Sequence, residues 1–412
     1  MKGEPNGTVR CSLLLASGLV LIVHALSAQS LRWIEPPEPS NQTEAYAVSA
    51  DGKWVVGYYY AGNSPKAFLW HATEGFKMEL PQDQQCRGEG SAMGISSDGS
   101  VVVGHATIAY EGNCGDYAYR WTSDEGARFL TTPGSATYSW ALGVSANGAV
   151  VVGMVLQRPF RWDDRGLQAL SENLGQARAA SADGSVVVGW VSDNPYNYNG
   201  MRPFRWTQSA GMQLLEPIGA LATGVSADGS VIVGYSPAFG PTRLDYPGVA
   251  YRWTATGQVD TLAGNTARGA LAVTADGSTI VGTMSVAAQL HAARWNPDGS
   301  VEDLNQTYAQ LLSPGSFLKY AYGISPDGRY IVGSGYNAER GRIEAFLLDT
   351  QGSSTVGEGS STGNVMLSFS PHPAQERATV TVCLPAGAQG ATLVLYDALG
   401  RPVATLLQDA VL

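Results

Sequence analysis

The chain has 412 residues, 44% of them apolar and 15% charged, with 50 Gly, 21 Pro and a formal net charge of −10. This composition excludes a disordered chain and a multi-span membrane protein, and the absence of a three-residue Gly period excludes a collagen-like fold. The acidic balance argues against a nucleic-acid partner, because proteins that read a phosphate backbone carry a basic face.

Lys2 and Arg10 precede a nearly unbroken apolar stretch from Ser12 to Ser27, which ends in small residues at Ala25, Ser27 and Ala28. That order of charge, apolar run and small residues predicts a secretory signal peptide over 1–28. A retained membrane anchor is the alternative, since the run is only slightly short of the ~20 residues a spanning helix needs. After signal removal no membrane span is expected. Cys11 stands before the run, which argues against a lipoprotein. Export into an oxidising compartment permits a disulfide among Cys86, Cys114 and Cys383. Cys86 with Cys114 is the expected pair because Cys383 lies far off in another region; free thiols are the alternative.

From Ser49 onward one phrase recurs seven times, as in SADGKWVVG from Ser49, SANGAVVVG from Ser145 and SPDGRYIVG from Ser325. Its acidic or amide residue is Asp51, Asp98, Asn147, Asp183, Asp228, Asp276 and Asp327, and a Gly always closes the phrase six residues later. A second phrase follows each time, ending at Trp70, Trp121, Trp162, Trp206, Trp253, Trp295 and Leu348. The Asp-Gly or Asn-Gly step predicts a tight hairpin between a strand A and an apolar strand B. Strand C ends at the Arg-Trp step, and a short strand D follows a Gly-containing turn.

Repeated four-stranded units of this length predict the blades of a β-propeller, here seven over residues 29–350. The seventh copy stops after strand C at Asp349, whereas Leu31 to Pro37 is an orphan D-like segment ahead of the first copy. The N-terminal strand is therefore expected to complete the last blade and remove the exposed sheet edges. The fold class is all-β, a seven-bladed propeller followed by a small β-sandwich.

The Ser-Ala-Asp-Gly-x-x-Val-Val-Gly and Phe-Arg-Trp phrases, from about Leu31 to Asp349, resemble the HAF-repeat family of extracellular repeat proteins. More distantly, Ser325-Pro326-Asp327-Gly328 resembles the blades of TolB-like propellers. The HAF resemblance implies a secreted propeller and no established biochemical activity.

Residues 351–364 form a Gly/Ser/Thr linker. Residues 365–412 then alternate as the strands of a small β-domain. Pro371, Pro373 and Ala374 followed by Asp397, Gly400, Arg401 and Val403 resemble the C-terminal sorting domain of the type IX secretion system, which implies that machinery as a partner. The family's closing Gly-x-Tyr strand is missing, so the domain is expected to be incomplete; an accessory β-domain is the alternative.

No zincin, nucleophile-elbow, P-loop, EF-hand or Cys-x-x-Cys pattern occurs, and neither cofactor nor metal is expected. Each repeat Asp offers one carboxylate, too few for a calcium ion wanting ~6 to 8 oxygens, and reads as turn chemistry. The Arg-Trp steps recur once per blade, which points to packing and not to a sugar-stacking ladder. Function is expected where copies differ, in the B–C segments His105 to Tyr117, Trp190 to Arg202 and Tyr235 to Gly248. Aromatic residues placed along that variable face are Tyr59, Tyr110, Tyr117, Trp140, Trp190, Tyr196, Tyr198, Tyr235 and Tyr246. Flat rings suit glycan or protein recognition. The leading expectation is a secreted or cell-surface, non-catalytic binding or adhesion module. An alternative is a polysaccharide hydrolase or lyase using Glu111, Asp116, Asp193 or Asp245 near the axis. A purely structural envelope component is a third.

Overall fold

Each Ser-x-Asp/Asn-Gly phrase closes a hairpin by the same hydrogen bonds. In the computed structural model, Ser226 Oγ donates to Asp228 Oδ1 (2.7 Å) and accepts the Val231 amide (3.0 Å), while Asp228 Oδ1 accepts the Ser230 amide (2.9 Å). Asn147 replaces the Asp with the same geometry, taking the Ser145 hydroxyl at 2.6 Å and the Ala149 amide at 3.1 Å. The repeat serines are buried, so each hydroxyl satisfies a buried amide that would otherwise lack a partner. The carboxylates are thereby committed to the turns.

The structure describes residues 29–351 except 38–39, 78–79, 82, 87, 132–137, 193–199, 238–247 and 263–265, together with the backbone of five strands outside that range. Strand A of the seven blades is Thr43–Val48, Gly90–Ile95, Ser139–Val144, Leu174–Ala180, Leu221–Val225, Ala267–Val273 and Phe317–Ile324. Each starts a four-stranded antiparallel sheet in the order A, B, C, D; in blade 2 the remaining strands are Val101–Tyr110, Asn113–Thr122 and Gly126–Phe129. Helix is nearly absent among the described residues, the α-helix Leu304–Thr307 being one turn long. The protein is an all-β, seven-bladed propeller.

The invariant Gly of strand B has a steric cause. Strand A carries a bulge at its Ala-x-Gly/Ala step, between Ala141 and Gly143 in blade 3, for example. This pushes the preceding carbonyl onto strand B, and a Cβ at Gly153 would lie 1.9 Å from Trp140 O, while at Gly333 it would lie 1.8 Å from Tyr320 O. No side chain fits there.

Blade 7 is assembled from both ends of the propeller. Phe317–Ile324, Tyr330–Asn337 and Arg342–Asp349 are its strands A to C, and Ser30–Ile34 is strand D. Strand D is shorter than the Leu31 to Pro37 stretch anticipated, because Pro36 and Pro37 have no amide to continue the ladder. Ile34 is fully buried in a cluster with Leu347 of blade 7 and Val55, Phe68 and Trp70 of blade 1. Behind it, Glu344 is fully buried and held by Asn337 (2.7 Å) and Arg342 (2.7 Å), and Arg342 also donates to Ser40 O (2.9 Å). The loop into blade 1 is thus clasped to blade 7.

Every interface between neighbouring blades holds a hydrophobic cluster, and the repeat tryptophans sit inside: Trp162 of blade 3 packs with Val101 and Leu130 of blade 2. The Arg-Trp steps are therefore packing elements. The turns are also linked around the ring, Ala50 N to Ser97 O (2.8 Å), Ser97 N to Ala146 O (3.0 Å), and onward to Ala275 N donating to Pro326 O (3.0 Å). Pro326 has no amide and ends the chain of donors.

Leu31–Leu348 forms one compact unit, and Met1–Ser30 with Asp349–Leu412 forms a second. In the second, Thr8–Leu14 pairs antiparallel with Arg377–Cys383, which also pairs with Met366–Ser370, and Ala391–Tyr396 pairs with Pro402–Ala410. Most of the signal-peptide segment, the linker, and the sorting-motif residues Pro371, Pro373, Ala374, Asp397, Gly400 and Arg401 lie outside the described residues.

Candidate functional site: the central channel

The seven A strands surround a channel of about 620 Å³. The repeat writes its walls in rings. The last residue of each Ala-x-x-Val step gives Val48, Ile95, Val144, Ala180, Val225, Val273 and Ile324, and the second gives Tyr46, Met93, Leu142, Arg178, Thr223, Leu271 and Tyr322. Tyr46 and Tyr322 meet across the junction of blades 1 and 7, with ring centroids 5.1 Å apart, and Tyr322 stacks on Tyr320 at 5.2 Å. Among the described residues, Arg178 is the one charged residue in these walls.

Glu44 lies one alternate position along strand A from Tyr46. Its Oε1 accepts from Gln42 (2.7 Å) and its Oε2 from the Tyr46 hydroxyl (3.1 Å). Burial raises its carboxyl above the ordinary range, and hydrogen bonds from Gln42, Tyr46 and Tyr322 with the Lys319 charge offset only part of the effect. Burial and then the charge of Glu44 push the Tyr46 and Tyr322 hydroxyls well up, so both remain neutral donors.

A second group bridges blades 2 and 3. The His105 ring stacks on Trp140 (4.5 Å between centroids, 15° between planes), and Trp140 Nε1 donates to Asp116 Oδ2 (3.2 Å). Thr107 Oγ1 donates to Asp116 Oδ1 (2.6 Å). His105 Nδ1 is buried with no hydrogen-bond partner, and burial lowers its pKa to about 4 against the pull of Asp116. The ring is neutral at physiological pH.

The aromatic residues expected along the B–C loops are mostly in strands. Tyr59 and Tyr117 are each 1% exposed, Trp190 is 5% and Tyr235 is 4%. Tyr59 and Tyr117 pack edge-on against Phe76 and Phe129, while Trp190 and Tyr235 share a cluster with Met201 and Leu221. Expecting loops there overlooked the strand alternation and one hairpin turn: Glu111 and Gly112 both have positive φ (51° and 81°), so strands B and C of blade 2 run as far as Tyr110 and Asn113. Tyr110, 42% exposed beside that turn, faces solvent, and Trp140 is half-buried in strand A of blade 3. Tyr196, Tyr198 and Tyr246 lie outside the described residues, as do Asp193 and Asp245. Of the remaining carboxylates, Glu111 is exposed in its turn and Asp116 is held by Thr107 and Trp140.

Cys86, in the connection from blade 1 to blade 2, and Cys114, at the start of strand C, are joined by a disulfide with Cα atoms 5.7 Å apart. Sequence reasoning missed the channel residues Tyr46, Arg178 and Tyr322, and Glu44, which Tyr46 hydrogen-bonds. For Tyr46, Arg178 and Tyr322 the signal was a departure from the repeat, an aromatic or charged residue at an A-strand position where the other copies have Met, Leu or Thr.

No family model and no curated protein matches this chain. Solved structures do. The β-propeller domain of the Trilobed protease from Pyrococcus furiosus, which has an open velcro topology, is similar at 11% identity over 76% of this chain and 97% of that one, with a TM-score of 0.52. Oligogalacturonate lyase from Vibrio parahaemolyticus is similar at 12% identity over 84% of this chain and 99% of that one, with a TM-score of 0.50. TolB from Acinetobacter baumannii shares 15% identity, and the chain spans 56% of its length with a TM-score of 0.37. At these identities the likeness establishes the propeller fold alone. No membrane-crossing helix occurs among the described residues.

Proposed function

We propose that this chain is a secreted or surface-displayed propeller of the HAF-repeat type that binds an extracellular protein or glycan without turning it over, exported by its N-terminal signal and a type IX sorting domain. The observation that carries this reading is the channel: among the described residues its walls hold tyrosine, aliphatic groups and one arginine, and no carboxylate. Such a surface supplies contact area and one anchoring charge, and it lacks the acid–base pair that hydrolysis or elimination of a sugar requires. The raised carboxyl of Glu44 is what favours an enzyme instead, yet both its oxygens are occupied by Gln42 and Tyr46. The test is a screen of the full chain on glycan and protein arrays beside a reducing-sugar release assay on the same polysaccharides. Saturable capture without release is expected. Release of sugar ends that is lost in Glu44→Gln would replace this reading with the enzyme.

A further inference from the structure

The repeat supplies its own control for Arg178. Six other blades place Tyr46, Met93, Leu142, Thr223, Leu271 and Tyr322 at the same step of strand A, so packing at this position asks for no charge. Blade 4 alone puts a guanidinium there. Arg178 Nε is buried without a hydrogen-bond partner, as it is in Arg202, Arg205, Arg252 and Arg268, but Arg178 alone of these lines the channel, beside Tyr235, and among the described residues no carboxylate pairs with it. Arg178 is only partly buried, so the charge is open to the channel and free to meet a counter-charge that arrives from outside the fold. Blade 4 departs once more, two residues on. Ala180 stands where the other copies carry Val or Ile, so space opens along the same wall beside the cation.

We propose that Arg178 anchors the carboxylate of a ligand whose apolar body fills the channel. The planar fork of the guanidinium matches a carboxylate. Leu142 and Thr223 hold the same step on the neighbouring blades, Tyr46 and Tyr322 hold it on the far side of the ring, and Ala180 leaves room for the atoms next to the carboxylate. The site selects against a sugar acid, whose hydroxyls would be stripped of water against Val144, Val225 and Ile324. A free apolar acid and the C-terminus of a protein share this chemistry. The inference rests on the binding reading above and names the ligand class of the same channel.

The test is calorimetry of the full chain and of Arg178→Met with 3-phenylpropanoate, its neutral amide and glucuronate, together with acetyl-Leu-Phe as free acid and as amide. Met93 fills the equivalent position, so Arg178→Met is expected to fold with an unchanged or higher melting temperature. The apolar acids are expected to bind the wild type about 10- to 100-fold tighter than the amides, and Arg178→Met to lose the same factor. Tighter binding of phenylpropanoate points to a free acid, and tighter binding of the peptide acid to a protein C-terminus; either supports the site. Equal binding of acid and amide, preference for glucuronate, no binding at millimolar concentration, or unchanged affinity in Arg178→Met overturns it. A lower melting temperature in Arg178→Met also overturns it, since the guanidinium would then have a partner within the chain. Proton NMR of the same samples separates the two claims. Conversion of the probe would refute the non-catalytic reading while leaving the anchor in place.

Discussion

Replacing Gly153 by Ala tests the steric explanation of the repeat. Gly153 is paired on both sides, with Ala141 of strand A and Phe160 of strand C, so its backbone is held within the blade. The added Cβ would stand 1.9 Å from Trp140 O and 3.0 Å from Ala141 Cα. Relief to a normal contact requires a shift of roughly 1 Å in a hydrogen-bonded carbonyl, and overpacking of this kind costs about 3 kcal/mol or more. Net stability of a folded domain is only about 5–15 kcal/mol, so the effect is large. The comparison is Gly62→Ala, where φ is +62° and nothing lies within 4 Å of the new Cβ. There only the backbone conformation is penalised, by about 1–2 kcal/mol. Urea denaturation of both full-length variants, followed by tryptophan fluorescence, measures the contrast. Equal midpoints for the two would refute the reasoning.

Further outcomes follow from the same geometry. Ser226→Ala strands the buried Val231 amide and is expected to lower stability by about 1–3 kcal/mol in denaturant titrations, whereas Asp228→Asn, which copies Asn147, is expected to be near neutral at pH 7. The Ser226 hydroxyl and the Ser230 amide lower the Asp228 carboxyl to about 2, so its contribution is present above pH 3.8 and is lost as pH falls through 2; Asp228→Asn should flatten that limb. His105, held near 4 by burial, takes up fewer protons folded than unfolded between pH 6.5 and 4, so stability declines as pH falls through that window and His105→Phe should level it. Arg342→Ala leaves the fully buried Glu344 without its main counter-charge and is expected to cost about 3–5 kcal/mol and to speed hydrogen exchange in Ser30–Ile34; an unchanged exchange rate there would show that the clasp does not hold the closing strand.

The repeated positions were legible because the same local force acts seven times. The Ser-x-Asp-Gly hydrogen bonds, the Gly beneath the strand A bulge and the tryptophans between blades each leave an identical mark in every copy. Ring closure was legible too, because a strand D missing after Asp349 and an orphan near Leu31 can satisfy each other. The channel was harder to read. Its residues alternate with buried ones along strand A, and Arg178 stands out only once the bulge has fixed which positions face inward. Tyr59, Tyr117, Trp190 and Tyr235 were misplaced for a related reason: segments between conserved phrases look like loops until a turn such as Glu111-Gly112 shows that the strands extend almost to it.

The central claim is that the repeat builds the ring and the departures from it inside the channel do the binding. It is tested most directly by a full-length variant that restores the repeat along the blade 4 wall, with Arg178 changed to Leu and Ala180 to Val while Tyr46 and Tyr322 keep their hydrogen bonds to Glu44, compared with the wild type on the same arrays and in the same thermal melt. The account expects a melting temperature within a few degrees of the wild type and loss of array capture. Undiminished capture by the variant would contradict it.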